Sequence, residues 1–383
     1  MKTKRLFALL FALLLILSMT ACSTADTSFP ISEWNSIPLS TDEVAASPQE
    51  NADPPLQTPT PPIPVETVLP DGSVFEVHFI DVGQADAALV LCDDQAMLID
   101  GGNAEDSNWI YTYLDRLSIT HLDYIVATHA HEDHIGGIPG ALTYATVGRV
   151  LCPTTEYDSE IFETFRRYVS NRDATIEIPQ AGNSFELGSA TVDILACNAD
   201  EDTNNTSIIL KITYGATSFL FTGDAEREAE QVVLESGADL RSSVLKVGHH
   251  GSRNSTTYPF LKQIMPDYAV ISVGKNNSYG HPTEEALSRL ADADVTVYRT
   301  DVLGSIICSS DGQQLEFRFE KNNTEASQTV VKQTYILNTN TKKFHYESCG
   351  SADDINPENK NTYTGTRDDL IKMGYDPCGN CDP

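Results

Sequence analysis

The segment His129-Ala-His131-Glu-Asp133-His134 puts three imidazoles and a carboxylate within six residues. As a pattern it is H-x-H-x-D-H. Residues 123–128 before it read as a buried strand, and Ile135-Gly136-Gly137 after it reads as a turn. The cluster is therefore expected at the end of a strand, where open α/β sheets carry their chemistry. Imidazole and carboxylate suit Zn²⁺ and its first-row neighbours. The alternating spacing lets His129 and His131 reach one ion while Asp133 and His134 reach a second. Ordinary polar loop residues rarely bring four ligand-type side chains together in this way.

Around this motif the chain divides into unequal parts. Residues 1–22 read as a signal peptide: Lys2, Lys4 and Arg5 precede an apolar run over 6–17, then small residues lead to Cys22. Met19-Thr-Ala-Cys22 resembles a bacterial lipobox, which implies lipidation of Cys22 and a membrane anchor on the outer face of the cell. Cleavage near Ala21, giving a secreted chain, and an uncleaved anchor are the alternatives. Residues 23–70 hold ten of the nineteen prolines and no Lys or Arg, and read as a disordered tether. A globular domain is expected over 71–320, a polar linker over 321–332 and a small module over 333–383.

Within 71–320 the residues read as short strands and helices in alternation. Phe75, Val77 and Phe79 alternate with Glu76 and His78, so His78 is expected on a wet strand face. Asp81 and Asp86 lie on the turn that follows. Hairpin strands are expected at 87–92 and 96–100, a helix at 108–117, and further strands at 208–213 and 217–221. Gly248-His249-His250-Gly251-Ser252 ends another strand; two histidines flanked by glycines suggest close approach to a ligand.

Phe79-Ile-Asp-Val-Gly-Gln-Ala-Asp86, Met97-Leu-Ile-Asp-Gly-Gly102, the histidine cluster, Phe221-Thr-Gly-Asp224 and Leu245-Lys-Val-Gly-His-His-Gly-Ser252 follow one another in an order that resembles the metallo-β-lactamase domain of ComEC-type DNA-uptake proteins. The resemblance covers roughly residues 72–320. It departs at Ala85, where such proteins usually have glycine. It implies an αββα sandwich with two divalent ions, Zn or Mn. It also implies that Asp224 bridges the ions, that His281 binds the second, and that Asp100 steadies the metal loop by hydrogen bonds. Most relatives have one more histidine before the bridging aspartate, yet residues 135–223 contain none. Asn204-Asn205 matches an Asn-rich segment of the ComEC-like sequences. Either Asn205 lies near the ion, or His249 or His250 swings in as a ligand. Asp81, Asp86, Asp100, Asn204, Asn205 and Ser252 are thus expected as supporting or substrate-contacting residues.

The tail carries His345-x₃-Cys349 and Cys378-x₂-Cys381. A module of about fifty residues needs a staple to fold alone. Cys₃His zinc is the simplest one, with a disulfide as the rival. The module resembles the small Ada-type metal-binding modules, with His345 where the repair domain has cysteine.

The expected chemistry is metal-assisted hydrolysis, in which Asp133 orients a bridging water and His249 or His250 protonates the leaving oxygen. The resemblance implies a phosphodiester substrate, DNA foremost. The formal net charge of −30 speaks against an extended nucleic-acid-binding face. A hydrolase of small extracellular esters or lactones is therefore a second expectation. A metal-dependent binding protein without turnover is a third, motivated by the missing histidine.

Overall fold

The computed structural model describes residues 75–321, 333–381 and 383. The expected signal peptide with Cys22, the 23–70 tether and the linker from 322 onward lie outside the described residues.

The alternating apolar residues build the strand Phe75–Phe79, which pairs antiparallel with Ala88–Cys92 and with Ile306–Ser310. These strands belong to an eight-stranded sheet that continues through Gln95–Ile99, His121–Val126 and Thr146–Leu151. A second sheet of seven strands contains the hairpin Ile209–Tyr214 and Thr217–Phe221. It continues in parallel through Val244–Lys246, Tyr268–Ile271 and Thr296–Arg299.

The sheets pack face to face. Phe75, Val77, Phe79, Val90 and Met97 of one meet Val192, Ile212, Phe219 and Phe221 of the other in a single buried cluster. Phe75 stacks on Tyr214 with ring centroids 4.8 Å apart. Such a pair contributes about 0.5–1.5 kcal/mol beyond the area it buries. On the outer faces, Ile110, Leu114, Phe162 and Phe165 cover the first sheet, and Val233, Phe260, Ile264 and Leu290 cover the second. The order helix–sheet–sheet–helix is the αββα sandwich.

Both faces of the first sheet are covered, which changes the reading of His78. It is buried and not on a wet face, with Nδ1 2.9 Å from the Tyr113 hydroxyl of the covering helix Ser107–Leu117. Ile135-Gly136-Gly137 also differs from expectation. It joins the short helices Glu132–Ile135 and Ile138–Tyr144. The glycine at 137 is there for close approach: a Cβ on it would lie 1.9 Å from the Gly101 carbonyl oxygen.

The tail forms a four-stranded sheet of its own, in the order Lys360–Gly365, Gln333–Asn338, Lys343–Tyr346 and Asp376–Pro377. Tyr335, Phe344, Tyr346 and Leu370 make its core. It rests on the helix Glu284–Asp292 of the sandwich: Tyr335 OH lies 2.9 Å from Ser288 Oγ, and Ser348 Oγ donates to Glu285 at 2.8 Å. Among the described residues, no helix is long and apolar enough to cross a membrane.

Candidate metal centre

Strand ends from both sheets supply the site. His121–Val126 ends just before the histidine cluster, Thr217–Phe221 just before Asp224, and Val244–Lys246 just before His249. The Ile208 N–H donates to Thr128 O at 2.8 Å and ties the two sheets together at this edge.

Asp100 organises the first loop. Its Oδ1 accepts from Thr128 N at 2.8 Å, and its Oδ2 accepts from Thr128 Oγ1 at 2.7 Å and from His134 Nδ1 at 2.8 Å. His134 is thereby turned so that Nε2 points the other way, to 3.2 Å from Asp224 Oδ1 and 4.0 Å from Asp133 Oδ2. His129 is buried, with Nε2 3.0 Å from His131 Nδ1 and its ring 4.1 Å from that of His134.

His249 and His250 both adopt positive φ, at +49° and +53°. Side chains seldom take that region, and here it turns two adjacent imidazoles into one site. His250 Nδ1 donates to Ser272 O at 3.1 Å, while its Nε2 lies 3.3 Å from Asp133 Oδ2 and 3.7 Å from Asp224 Oδ2. His249 Nδ1 donates to Glu226 Oε1 at 3.1 Å, and its Nε2 lies 3.6 Å from Asp224 Oδ2. His281 stands beyond His249, ring centroids 5.6 Å apart, and its Nδ1 has no hydrogen-bond partner.

The electrostatics follow from burial and from the carboxylates. Burial disfavours the charged form of His250, but Asp224, Asp86 and Asp133 outweigh it and push its pKa up to about 10. Burial acts against the charge of Asp133 as well, and His134 and His250 bring its pKa down to about 2. For His129 burial prevails, with His134 adding to it, and the imidazole is held neutral. His281 is pulled down to about 4 by burial and by its histidine neighbours.

These residues suit a divalent cation. The ligand atoms of Asp133, His134, Asp224 and His250 all lie within 4.8 Å of one another. His134 Nε2 and Asp224 Oδ1 are buried and, although close, are not aligned to bond each other. Buried polar atoms without partners are costly in a protein interior, and a shared cation resolves both. In the tail, the ligand atoms of His345, Cys349, Cys378 and Cys381 also lie within 4.8 Å of one another, and no disulfide joins the three thiols.

Of the residues expected to support the site or contact substrate, Asp81 stands apart. Asp81 accepts from Gly83 N and from Lys321 Nζ and does not join the cluster. Asn205 Oδ1 accepts from the Glu226 N–H at 3.1 Å, so this amide braces a loop. Asn204 sits in the same short turn, Asn204–Thr206, with its Oδ1 buried and unpartnered. Ser252 Oγ accepts from Asn254 N and closes the turn after the histidines. Asp86 is buried against the ammonium of Lys246 at 2.8 Å, with Oδ1 3.4 Å from His250 Nδ1. The sequence reading missed Lys246 and Glu226. A charge inside the apolar run Val244-Leu-Lys-Val247 is a signal that could have found the first.

The profile of the Metallo-beta-lactamase superfamily matches residues 80–275. The chain is 33% identical over 251 residues to ComE operon protein 3 of Bacillus subtilis, a match covering 60% of this chain and 32% of that protein. It is 30% identical over 234 residues to the competence protein ComA of Neisseria gonorrhoeae, covering 59% of this chain and 31% of that one. Recombination protein 2 of Haemophilus influenzae is 30% identical over 253 residues, with 64% and 30% covered. The chain thus spans about a third of the length of these relatives.

Proposed function

Because this chain belongs to the metallo-beta-lactamase superfamily, we propose that it is a metal-dependent phosphodiesterase that cleaves DNA through a dinuclear site. The observation that carries the reading is the meeting of Asp133, His134, Asp224 and His250, which come from three separate strand ends. The similarity of the chain to competence proteins supports DNA as the substrate.

In this reading His129 and His131 would hold one ion and Asp133, His134 and His281 the other, and Asp224 would serve both. When bound, the ions would make hydroxide available near neutral pH and offset charge on the phosphoryl oxygens. The chain does the rest. Asp100 fixes the tautomer of His134 by accepting from its Nδ1. Asp133 orients the attacking water. Whichever imidazole of the pair His249 and His250 is not spent on a metal would carry the proton to the leaving oxygen. Burial of His129, His134, Asp224 and His250 keeps the site's electrostatics strong.

The tail cluster is read as a structural zinc site, held by His345, Cys349, Cys378 and Cys381. The chain is read as anchored through lipidated Cys22 to the outer face of the membrane. The formal charge of −30 favours a second substrate class, neutral esters or lactones.

The test is turnover by the full chain with added Mn²⁺ or Zn²⁺. The substrates are single-stranded and duplex DNA and bis-p-nitrophenyl phosphate, with a lactone as the control. Metal-dependent DNA cleavage that vanishes in Asp224→Ala is the expected result. Lactone turnover with intact DNA would move the assignment to small-molecule hydrolysis.

A further inference from the structure

Three features that lie far apart in the sequence meet beside the metal centre. Asn205 Oδ1 accepts the backbone N–H of Glu226 at 3.1 Å. Asn254 Nδ2 lies 3.4 Å from both carboxylate oxygens of Glu226. Glu226 Oε1 in turn accepts from His249 Nδ1 at 3.1 Å. The carboxylate is half-buried and gripped from its main chain and its side chain, so it cannot swing away without breaking several bonds.

What this holds in place is an imidazole with one nitrogen free. With Nδ1 donating to Glu226, His249 keeps its lone pair on Nε2, and Nε2 faces Asp224 Oδ2 at 3.6 Å. His134 Nε2 faces the other oxygen of the same carboxylate at 3.2 Å. Asp224 therefore has His134, oriented by Asp100, at one oxygen, and at the other His249, oriented by Glu226, alongside His250 at 3.7 Å. A carboxylate behind a histidine is the usual device for presenting that ring to a metal. The left-handed backbone of His249 points the same way, because strain of this kind is kept where a side chain must be aimed.

We infer that Glu226 is a positioning residue: held by Asn205 and Asn254, it presents His249 to the bridging carboxylate, so that His249 supplies the imidazole absent from residues 135–223. The inference rests on the dinuclear reading of the site. It also gives the Asn-rich turn a purpose. Asn205 does not replace the missing histidine as a donor; it steadies the carboxylate that steadies the replacement.

The experiment is a Co²⁺ titration of the full chain, read by bound metal and by the visible absorption of the bound ion. The Cys349→Ser background removes the tail site from the count. Glu226→Ala should lose affinity for one equivalent by about 10–100-fold and change the absorption bands. Glu226→Gln keeps an oxygen acceptor and should recover most of both. His249→Ala should show the same loss as Glu226→Ala, and the double variant no more than His249→Ala alone. Thermal unfolding of each variant, followed by circular dichroism, separates loss of fold from loss of ligand.

Two equivalents in the parent with an unchanged Glu226→Ala titration would overturn the inference and leave the dinuclear reading standing. Additive losses in the double variant would do the same. Fewer than two equivalents in the parent would sink both. Two equivalents with no phosphodiester cleavage would overturn the substrate assignment, while the part given to Glu226 would stand on the metal data.

Discussion

Lys246→Met is the most informative single change outside the metal donors. The ammonium of Lys246 is 2.8 Å from Asp86 Oδ2, and the two residues are 4% and 5% exposed. Burial raises the pKa of Asp86, but Lys246 first and His250 second overcome it and hold the carboxylate ionised well below its ordinary range. Removing the lysine leaves that charge buried, with only the histidine beside it. Breaking one side of a buried pair costs about 3–5 kcal/mol. For a domain of about 150–250 residues each kcal/mol lowers Tm by about 2–4 °C, so the loss amounts to roughly 6–20 °C. The assay is thermal unfolding by circular dichroism, with metal chelated so that binding does not mask the change. The companion is Asp86→Asn with Lys246→Met. Taking out both charges is often neutral when the volume is kept, so the double variant should regain most of the lost Tm. A fall of less than about 3 °C in the single variant, at most about 1.5 kcal/mol of destabilisation by the same scale, would refute the reasoning. It would show that water reaches Asp86. A double variant no better than the single would show that the loss came from packing and not from charge.

Gly137→Ala should cost about 1–3 kcal/mol by overpacking, since its Cβ would meet the Gly101 carbonyl oxygen at 1.9 Å. Metal content should fall with it, because that contact seats the loop bearing His134; an unchanged Tm and metal count would count against this. Cys349→Ser should release about one equivalent of zinc from a set of four donors and leave the sandwich's Tm nearly in place; elemental analysis and two separate unfolding transitions would show it. With a net charge of −30, salt should screen repulsion from DNA, so KM for an oligonucleotide should stay flat or fall between 0.05 and about 0.2 M salt. A KM that climbs steeply with salt would mean that a basic surface track does the binding.

The candidate donors were legible in the sequence because each announces itself locally. His129, His131, Asp133 and His134 share one short segment, and Asp224 and His249 each follow an apolar strand run. A strand end is visible in a sequence, and so is a ligand-type residue placed on it. The supports were not visible, since they act across long separations: 160 residues between Asp86 and Lys246, and 23 between Glu226 and His249. Which of its two expected parts Asn205 plays was hidden for a related reason. An amide beside a metal motif offers an oxygen donor, but which group claims that oxygen depends on a loop twenty-one residues on. Burial of His78 was hidden in the same way, because the helix that covers it follows two strands later.

The site holds four buried or half-buried aspartates, and the structure sorts them into two kinds. Asp100 spends both oxygens on Thr128 and His134. Asp86 gives Oδ2 to Lys246, and its main chain braces the loop: its N–H donates to Asp133 O at 3.0 Å and its carbonyl accepts from Gly102 N at 2.8 Å. Yet one oxygen each of Asp86 and Asp100 lies within 4.8 Å of a nitrogen of His134, near enough to compete for a cation. A site with four free carboxylates would suit Ca²⁺ or Mg²⁺, which prefer oxygen alone. Lys246 and Thr128 remove two of the four from that competition. What is left, Asp133 and Asp224 among imidazoles, is the mixed oxygen and nitrogen set that favours Zn²⁺ or Mn²⁺. By the same argument the buried lysine, which pairs with Asp86 inside the sandwich, would bias a bound cation toward that mixed set.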